Sequence, residues 1–392
     1  MQNLLKQKWA YITALAALIM VSGCESDVEL NADYKSTTVI FGLLDADASG
    51  DGLNNQLDTQ WIKINRTWLG DGDNYTYAQI RDSSEYKNEE IISAKVVRYF
   101  DGNALEEWNL TPVTVSNKDI NGIFYEPEQT LYYFVPPVAG LHQESNYRLE
   151  IDFAGKEDVY AETDLIRSSQ LSFYQPQPPG TVSLATGSAS AVAYTQGSRI
   201  KWYAAPGAKS YDVKIRFHFK EKLYDNPQHT GTPVVTDKFA DFNAGSYKVE
   251  DANEDGQLEV EFNGEPFYTM LESTLEANPN IVREIGFFDG SDTRCFDVII
   301  SMGNDNFNTY IEVNSPVSGI VQERPTFSNI GNGLGLFASR STRTLRNLTV
   351  VTSGTGVPNL GNLHGLCAPV LNSHTLLLNF CDPNPTSNYA CD

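Results

Sequence analysis

"YRLEIDF", Tyr147 to Phe153, alternates apolar and polar side chains without a break. Successive side chains on a strand point to opposite faces, so this run suits a β-sheet with one side on a core and the other in water. "WIKIN" and "AKVVRYF" follow the same period. Between Thr37 and Asp164 there are about eight such segments, separated by turn-rich pieces such as "DGDN", "FDGN" and "NKDING". Short strands at that spacing predict an antiparallel β-sandwich of the immunoglobulin-like sort over residues 37–170. "YQPQPPGT", Tyr174 to Thr181, then clusters prolines, which cannot donate to a ladder. Residues 171–196 therefore read as a Pro/Gly/Ser-rich linker.

A second β-rich domain is expected over residues 197–346. "RIKWYAAPGAKSYDVKIRFHF" sets Trp202 ahead of a Pro-Gly turn, then places Tyr211, Val213, Ile215, Phe217 and Phe219 on one face of a long strand. The pattern is similar to the B and C strands of a fibronectin type III sandwich. One helical insertion is predicted near 266–276. Phe267, Met270, Leu271 and Leu275 share a side there, and Pro266 suits the first turn. The expected fold class is thus mainly β, with two tandem β-sandwich domains and a cysteine-bearing tail over 347–392.

The first residues have the parts of an export signal. Lys6 and Lys8 precede the apolar stretch Trp9–Val21, and small residues lead to Cys24. That stretch is short of the roughly 20 apolar residues a membrane-spanning helix needs. "VSGC" resembles the bacterial lipobox, so residues 1–23 read as a lipoprotein signal peptide, Cys24 as the lipidated residue and 24–36 as a tether. More than one acyl chain on one residue anchors a protein stably where a single chain does not.

The formal charge of −22 becomes −24 once the two lysines of residues 1–23 are removed. A chain so acidic repels phosphate backbones, which argues against nucleic acid as a partner. Apart from Cys24, the cysteines are Cys295, Cys367, Cys381 and Cys391. An even set in an exported chain predicts two disulfides, with three possible connectivities that sequence does not separate.

Two acidic loops carry the ligand spacing of the first half of a calcium loop. Asp45, Asp47, Ser49 and Asp51 fall in "DADASGDGLNNQ", and Asp251, Asn253 and Asp255 fall in "DANEDGQLEVEF". Position twelve is Gln56 in one and Phe262 in the other, and neither loop has flanking helices, so an acidic hairpin turn competes with a calcium site. Calcium is the single cofactor these residues suggest. "GLGLFA", Gly333 to Ala338, spells a dinucleotide fingerprint but lacks a strand-helix unit and a following acid, so nucleotide binding is not expected. Arg324, Arg340, Arg343 and Arg346 form a basic island that either faces an anionic partner or lies on a solvated face. The five histidines form no metal or hydrolase motif. Trp61, Trp68 and Trp108 either stack on sugars or belong to the core.

The lipobox, "YRLEIDFAGKEDVYAETDL", "IKWYAAPGAKSYDVKI" and "RPTFSNIGNGLGLFASRS" together resemble the Bacteroidetes lipoproteins catalogued as domain of unknown function 4249. The resemblance spans roughly Thr37 to Arg343, and the cysteine-bearing tail departs from it. It implies work beside an outer-membrane TonB-dependent transporter, with no catalytic residue to carry over. In that phylum acidic residues after the lipidated cysteine resemble a surface-export signal, and Glu25, Asp27 and Glu29 fit it. The expectation is a non-enzymatic accessory or ligand-binding lipoprotein on the outer membrane, exposed at the cell surface. A surface hydrolase acting on glycan or peptide, and a calcium-stabilised adhesive protein, are the alternatives.

Overall fold

The computed structural model describes residues 36–46, 59–68, 74–119, 121–137, 140–178, 180–188, 191–249, 256–286, 294–315, 326–350, 360–368 and 373–391. Residues 37–392 form one compact unit. Its strands in the first half are β1 (Thr38–Asp45), β2 (Gln60–Arg66), β3 (Ile91–Phe100), β4 (Asn103–Asn109), β5 (Thr111–Ser116), β6 (Glu128–Phe134), β7 (Asn146–Phe153) and β8 (Val159–Asp164). Three short strands follow, β9 (Ser172–Gln175), β10 (Ala185–Ser188) and β11 (Ala191–Tyr194). Then come β12 (Ser198–Tyr203), β13 (Ser210–Leu223), β14 (Val234–Lys248), β15 (Gln257–Phe262), β16 (Ile281–Ile285) and β17 (Arg294–Gly303). β18 (Ile330–Gly331), β19 (Gly333–Thr349) and β20 (Phe380–Cys381) complete the set.

The chain is mainly β. Among the described residues the strands make four sheets, and the largest has ten strands, in the order β20-β16-β13-β17-β19-β1-β2-β6-β5 with β14 on β13. The other three are β18-β8-β7-β3-β4, β15-β12-β9 and the hairpin β10-β11.

The alternating runs put their apolar side chains where the sequence pattern predicts. β7 buries Tyr147, Leu149, Ile151 and Phe153 against Ile40 and Leu44 of β1 and Ile62 and Ile64 of β2. This first core gathers residues 40–165 with Ile330 and Phe337 added. A second core gathers residues 166–380 around Trp202, Tyr211, Phe217 and Phe267. Trp202 is buried, with its ring 5.5 Å from that of Tyr211. The predicted helix spans Glu265–Thr274, with proline in its first turn and Phe267, Tyr268 and Leu271 buried.

The two cores divide between Leu165 and Ile166, but the sheets do not. β1 pairs in parallel with β19, residue for residue from Thr38–Gly333 to Asp45–Arg340, so strands of both halves share the ten-stranded sheet. This pairing explains the glycines of "GLGLFA". Gly335 has φ +113°, a conformation that side chains strain to adopt, and a Cβ there would lie 1.9 Å from the Ile40 carbonyl oxygen. The motif is a central strand pressed onto its neighbour. The segment read as a linker, 171–196, also carries β9 to β11 and buries Leu171, Val182 and Leu184 in the second core.

The tail is folded in as well. The helix Gly361–Cys367 is buried along its whole length. Arg283, almost fully buried, donates to the carbonyls of Leu378 and Glu276 (2.9 Å each) and to Glu221 (3.2 Å), tying the tail to β16 and β13. Cys381 and Cys391 form a disulfide across 10 residues. Cys295 and Cys367 are buried and carry no disulfide, so the second predicted bridge is not formed.

Candidate binding site

Sequence alternation does not say what lies past the end of β2, and there a cavity opens. β1 and β2 stay paired beyond their strands, with the Thr67 amide donating to the Thr37 carbonyl at 2.8 Å. Trp68 follows and is 46% exposed. A short helix, Asn74–Ala78, brings Tyr77 to it, with ring centroids 5.5 Å apart and planes at 44°. The loop ahead of β6 supplies Ile123 and Phe124, 56% and 61% exposed. With Tyr75 they surround a cavity of about 520 Å³ whose walls are dominated by apolar atoms.

Backbone contacts fix the loop against the helix. The Tyr125 amide donates to the Ala78 carbonyl at 2.8 Å, and the Gln79 side chain donates to the Ile123 carbonyl. Lys118 closes the other side, donating to the Tyr125 carbonyl at 2.9 Å. The cavity floor is thus held by hydrogen bonds rather than by its own exposed rings.

An ionic frame adjoins the cavity through Arg66, which lines it. Arg66, at the end of β2, donates to Glu90 at 2.8 Å and to the Asp82 carbonyl, and its guanidinium lies 5.2 Å over the Tyr86 ring. Glu85, with its side chain 4% exposed, is the centre of a second cluster. Its Oε2 accepts from Arg81 Nε (2.9 Å), Thr130 N (3.1 Å) and Thr130 Oγ1 (2.9 Å), and Lys118 Nζ lies 3.5 Å from its Oε1. Buried carboxylates persist when they are paired and hydrogen-bonded in this way. Lys63 sits nearby. Burial first, and then the charge of Lys118, hold its ammonium below the ordinary lysine value, while Glu85 pulls the other way. The arrangement sets a paired, charged cluster beside a cavity whose apolar lining suits an apolar group from outside.

The sequence-predicted site residues fare differently. Cys24, Asp47, Ser49, Asp51, Asp251, Asn253, Asp255 and Arg324 lie outside the described residues. Asp45 ends β1, where its backbone is bonded at both amide and carbonyl by the Gln60 side chain (2.9 and 3.2 Å). Among the described residues, no three His, Cys, Asp or Glu side chains converge as a metal site. Arg340, Arg343 and Arg346 all lie on β19, but strand alternation points Arg340 and Arg343 to opposite faces, so they do not make one basic face. The histidines are dispersed: His142 meets Ser145, His218 meets Asp297, His229 meets the Pro279 carbonyl and His374 meets Glu272. Of the three tryptophans, Trp108 is packed in the first core, stacked 5.5 Å from Phe134, while Trp61 and Trp68 are exposed.

Sequence reading passed over Tyr75, Tyr77, Ile123 and Phe124. One signal was present: "NKDINGIFYEP" puts an isoleucine, a phenylalanine and a tyrosine together in a turn segment that no strand alternation claims. Apolar rings in a turn have no core of their own to fill. No protein-family model matches the chain, and no curated protein matches it significantly.

Proposed function

We propose that the chain is a non-enzymatic, lipid-anchored accessory protein on the outer face of the outer membrane, which engages a partner protein through the Trp68 cavity. The observation that carries this reading is the clustering of Trp68, Tyr75, Ile123 and Phe124, all exposed, around one cavity on an ion-paired frame. Exposed apolar surface gathered in one place is unfavourable in water, and aromatic residues seated in pockets carry most of the energy where proteins meet. The partner class follows from the anchor. A chain the length of residues 25–36 reaches at most about 40 Å from Cys24, so the body stays close to its own membrane. A β-barrel transporter in that membrane, of the TonB-dependent kind the resemblance implies, is the occupant proposed for the cavity. The fibronectin-like reading of the second half is supported by Trp202 packing onto Tyr211 from a different sheet.

The test is gentle detergent extraction at native expression level, comparing the wild type with Trp68→Ala. An outer-membrane β-barrel is expected to co-purify with the wild type and to be lost from the variant. Recovery of the wild-type protein alone would sink the reading.

A further inference from the structure

The Trp68 cavity has the size and lining of a small-molecule pocket. Its volume of about 520 Å³ falls within the roughly 300–1,000 Å³ of cavities that take small ligands. Trp68, Tyr75, Tyr77, Ile123 and Phe124 supply its apolar wall. The Trp68 indole is backed by Tyr77, with ring centroids 5.5 Å apart, and is still 46% exposed, which leaves apolar surface for a further ring to cover. The wall is in place before anything binds. The Tyr125 amide and the Gln79 side chain hold the loop of Ile123 and Phe124 to the helix that carries Tyr75 and Tyr77. A site fixed in advance spares a ligand the cost of ordering it.

The cavity offers a ligand no unmet charge. Among the described residues that line it, Arg66 is the one that is charged. Its guanidinium donates to Glu90 at 2.8 Å and to the Asp82 carbonyl, so its charge is already met. An ionised ligand would give up hydration here without gaining a counter-ion. Polar capacity remains at the rim, where the Asn74 side chain is exposed and has no hydrogen-bond partner among the described residues. A carboxamide both donates and accepts.

We infer that the cavity binds an uncharged, flat apolar small molecule, stacked on Trp68 and hydrogen-bonded at one edge to Asn74. A ligand covered in hydroxyls would press polar groups against Ile123 and Phe124 without partners for them. Because the docking reading seats a partner's side chains in this same cavity, ligand and partner exclude one another, and that consequence rests on the docking reading. The ligand is then a release signal. At a free concentration about ten times its Kd, it lowers the partner's apparent affinity about tenfold.

The test titrates N-phenylnaphthylamine, an uncharged aromatic dye that fluoresces on leaving water, into the mature chain carrying Cys24→Ser, which has no acyl chain and needs no detergent. Saturable binding is expected. Trp68→Ala and Phe124→Ala, made in that chain, should each weaken it about tenfold or more, whereas Val235→Ala, at an exposed position on β14, binds as the parent. Anilinonaphthalene sulfonate, which has similar rings and a fixed negative charge, should displace the dye only at about tenfold higher concentration than an uncharged competitor. Phe124→Ala removes an exposed loop side chain and keeps the test decisive should Trp68→Ala not fold. The ligand site is overturned by the lack of saturable binding, by a folded Trp68→Ala or Phe124→Ala that binds as tightly as the parent, or by equal displacement with the sulfonate. Competition is read separately, by adding the dye to the detergent extract at a free concentration about ten times its Kd. Recovery of the co-purifying barrel should fall about tenfold, and undiminished recovery overturns the competition. Dye binding with no barrel recovered sinks the docking reading and leaves the ligand site standing.

Discussion

Replacing Glu85 by alanine tests whether the segment beside the Trp68 cavity is held by a buried charge cluster. The substitution removes the acceptor for three hydrogen bonds, from Arg81 Nε and from both the amide and the hydroxyl of Thr130, and leaves Lys118 facing an empty position. Breaking a buried pair by deleting one partner costs about 3–5 kcal/mol. Arg81 is 30% exposed and has Glu128 at 3.2 Å, so its charge is partly recovered, and the lower end, about 3 kcal/mol, is expected. With a urea m-value of about 3 kcal/mol/M, the midpoint should fall by about 1 M. Glu85→Gln retains an acceptor and much of the shape, and its loss should be nearer 1–2 kcal/mol. The assay is urea unfolding followed by tryptophan fluorescence.

A pH signature distinguishes this account from simple loss of packing. Glu85 is the one influence that raises the depressed Lys63 ammonium, so its removal depresses Lys63 further. A base held below its unfolded value of 10.5 is charged at a cost near neutral pH. That cost is relieved as pH rises through the folded value toward 10.5, so Glu85→Ala should regain stability over the alkaline range relative to wild type. A midpoint shift below about 0.3 M, with no such recovery, would refute the role given to Glu85.

Three further outcomes follow from other parts of the fold. Gly335→Ala forces a side chain into φ +113° and to within 1.9 Å of the Ile40 carbonyl, so thermal melting should show a loss of about 3 kcal/mol or more as β1 and β19 separate. Cys381→Ser opens a loop of 10 residues and should lower stability by about 2–3 kcal/mol, whereas Cys295 and Cys367 should react with a thiol reagent only after denaturation. Asp241 is held below its unfolded value of 3.8, first by its hydrogen bond to Arg216 and then by the charges of Arg216 and Lys214. Its contribution is therefore complete above 3.8 and lost as pH falls through the folded value, so melts taken at descending pH should show a shallower acid limb in Asp241→Asn.

The strand content was legible because alternation is a local property. About eight alternating segments were read between Thr37 and Asp164, where β1 through β8 lie, and the helix at Glu265–Thr274 follows from one apolar side and an early proline. Partnership between distant strands was not legible. Nothing near Thr38 announces that it will lie beside Gly333, and the glycines that make room for that contact mimic a nucleotide motif. The prolines at Tyr174–Thr181 suggested a linker, yet Val182 and Leu184 beside them are core. Proline forbids ladder bonds at its own position and leaves its neighbours free to pack. "WIKIN" shows why an exposed ring was harder to place than the strand that carries it: Trp61, Ile62 and Ile64 are all apolar, and only the position of the second sheet decides that the isoleucines go in and the tryptophan out. Four cysteines gave a count without geometry, and burial of Cys295 and Cys367 as thiols is set by the second core around them.

Whether the Trp68 cavity meets a membrane partner is most directly settled by site-specific photocrosslinking on intact cells. A photoreactive residue at position 124, on the cavity rim, is compared with one at position 234, exposed on the other half of the fold. An adduct between position 124 and an outer-membrane β-barrel, missing from position 234 and lost when Trp68→Ala is added, is the predicted result. No adduct at position 124, or equal adducts from both positions, would contradict the account.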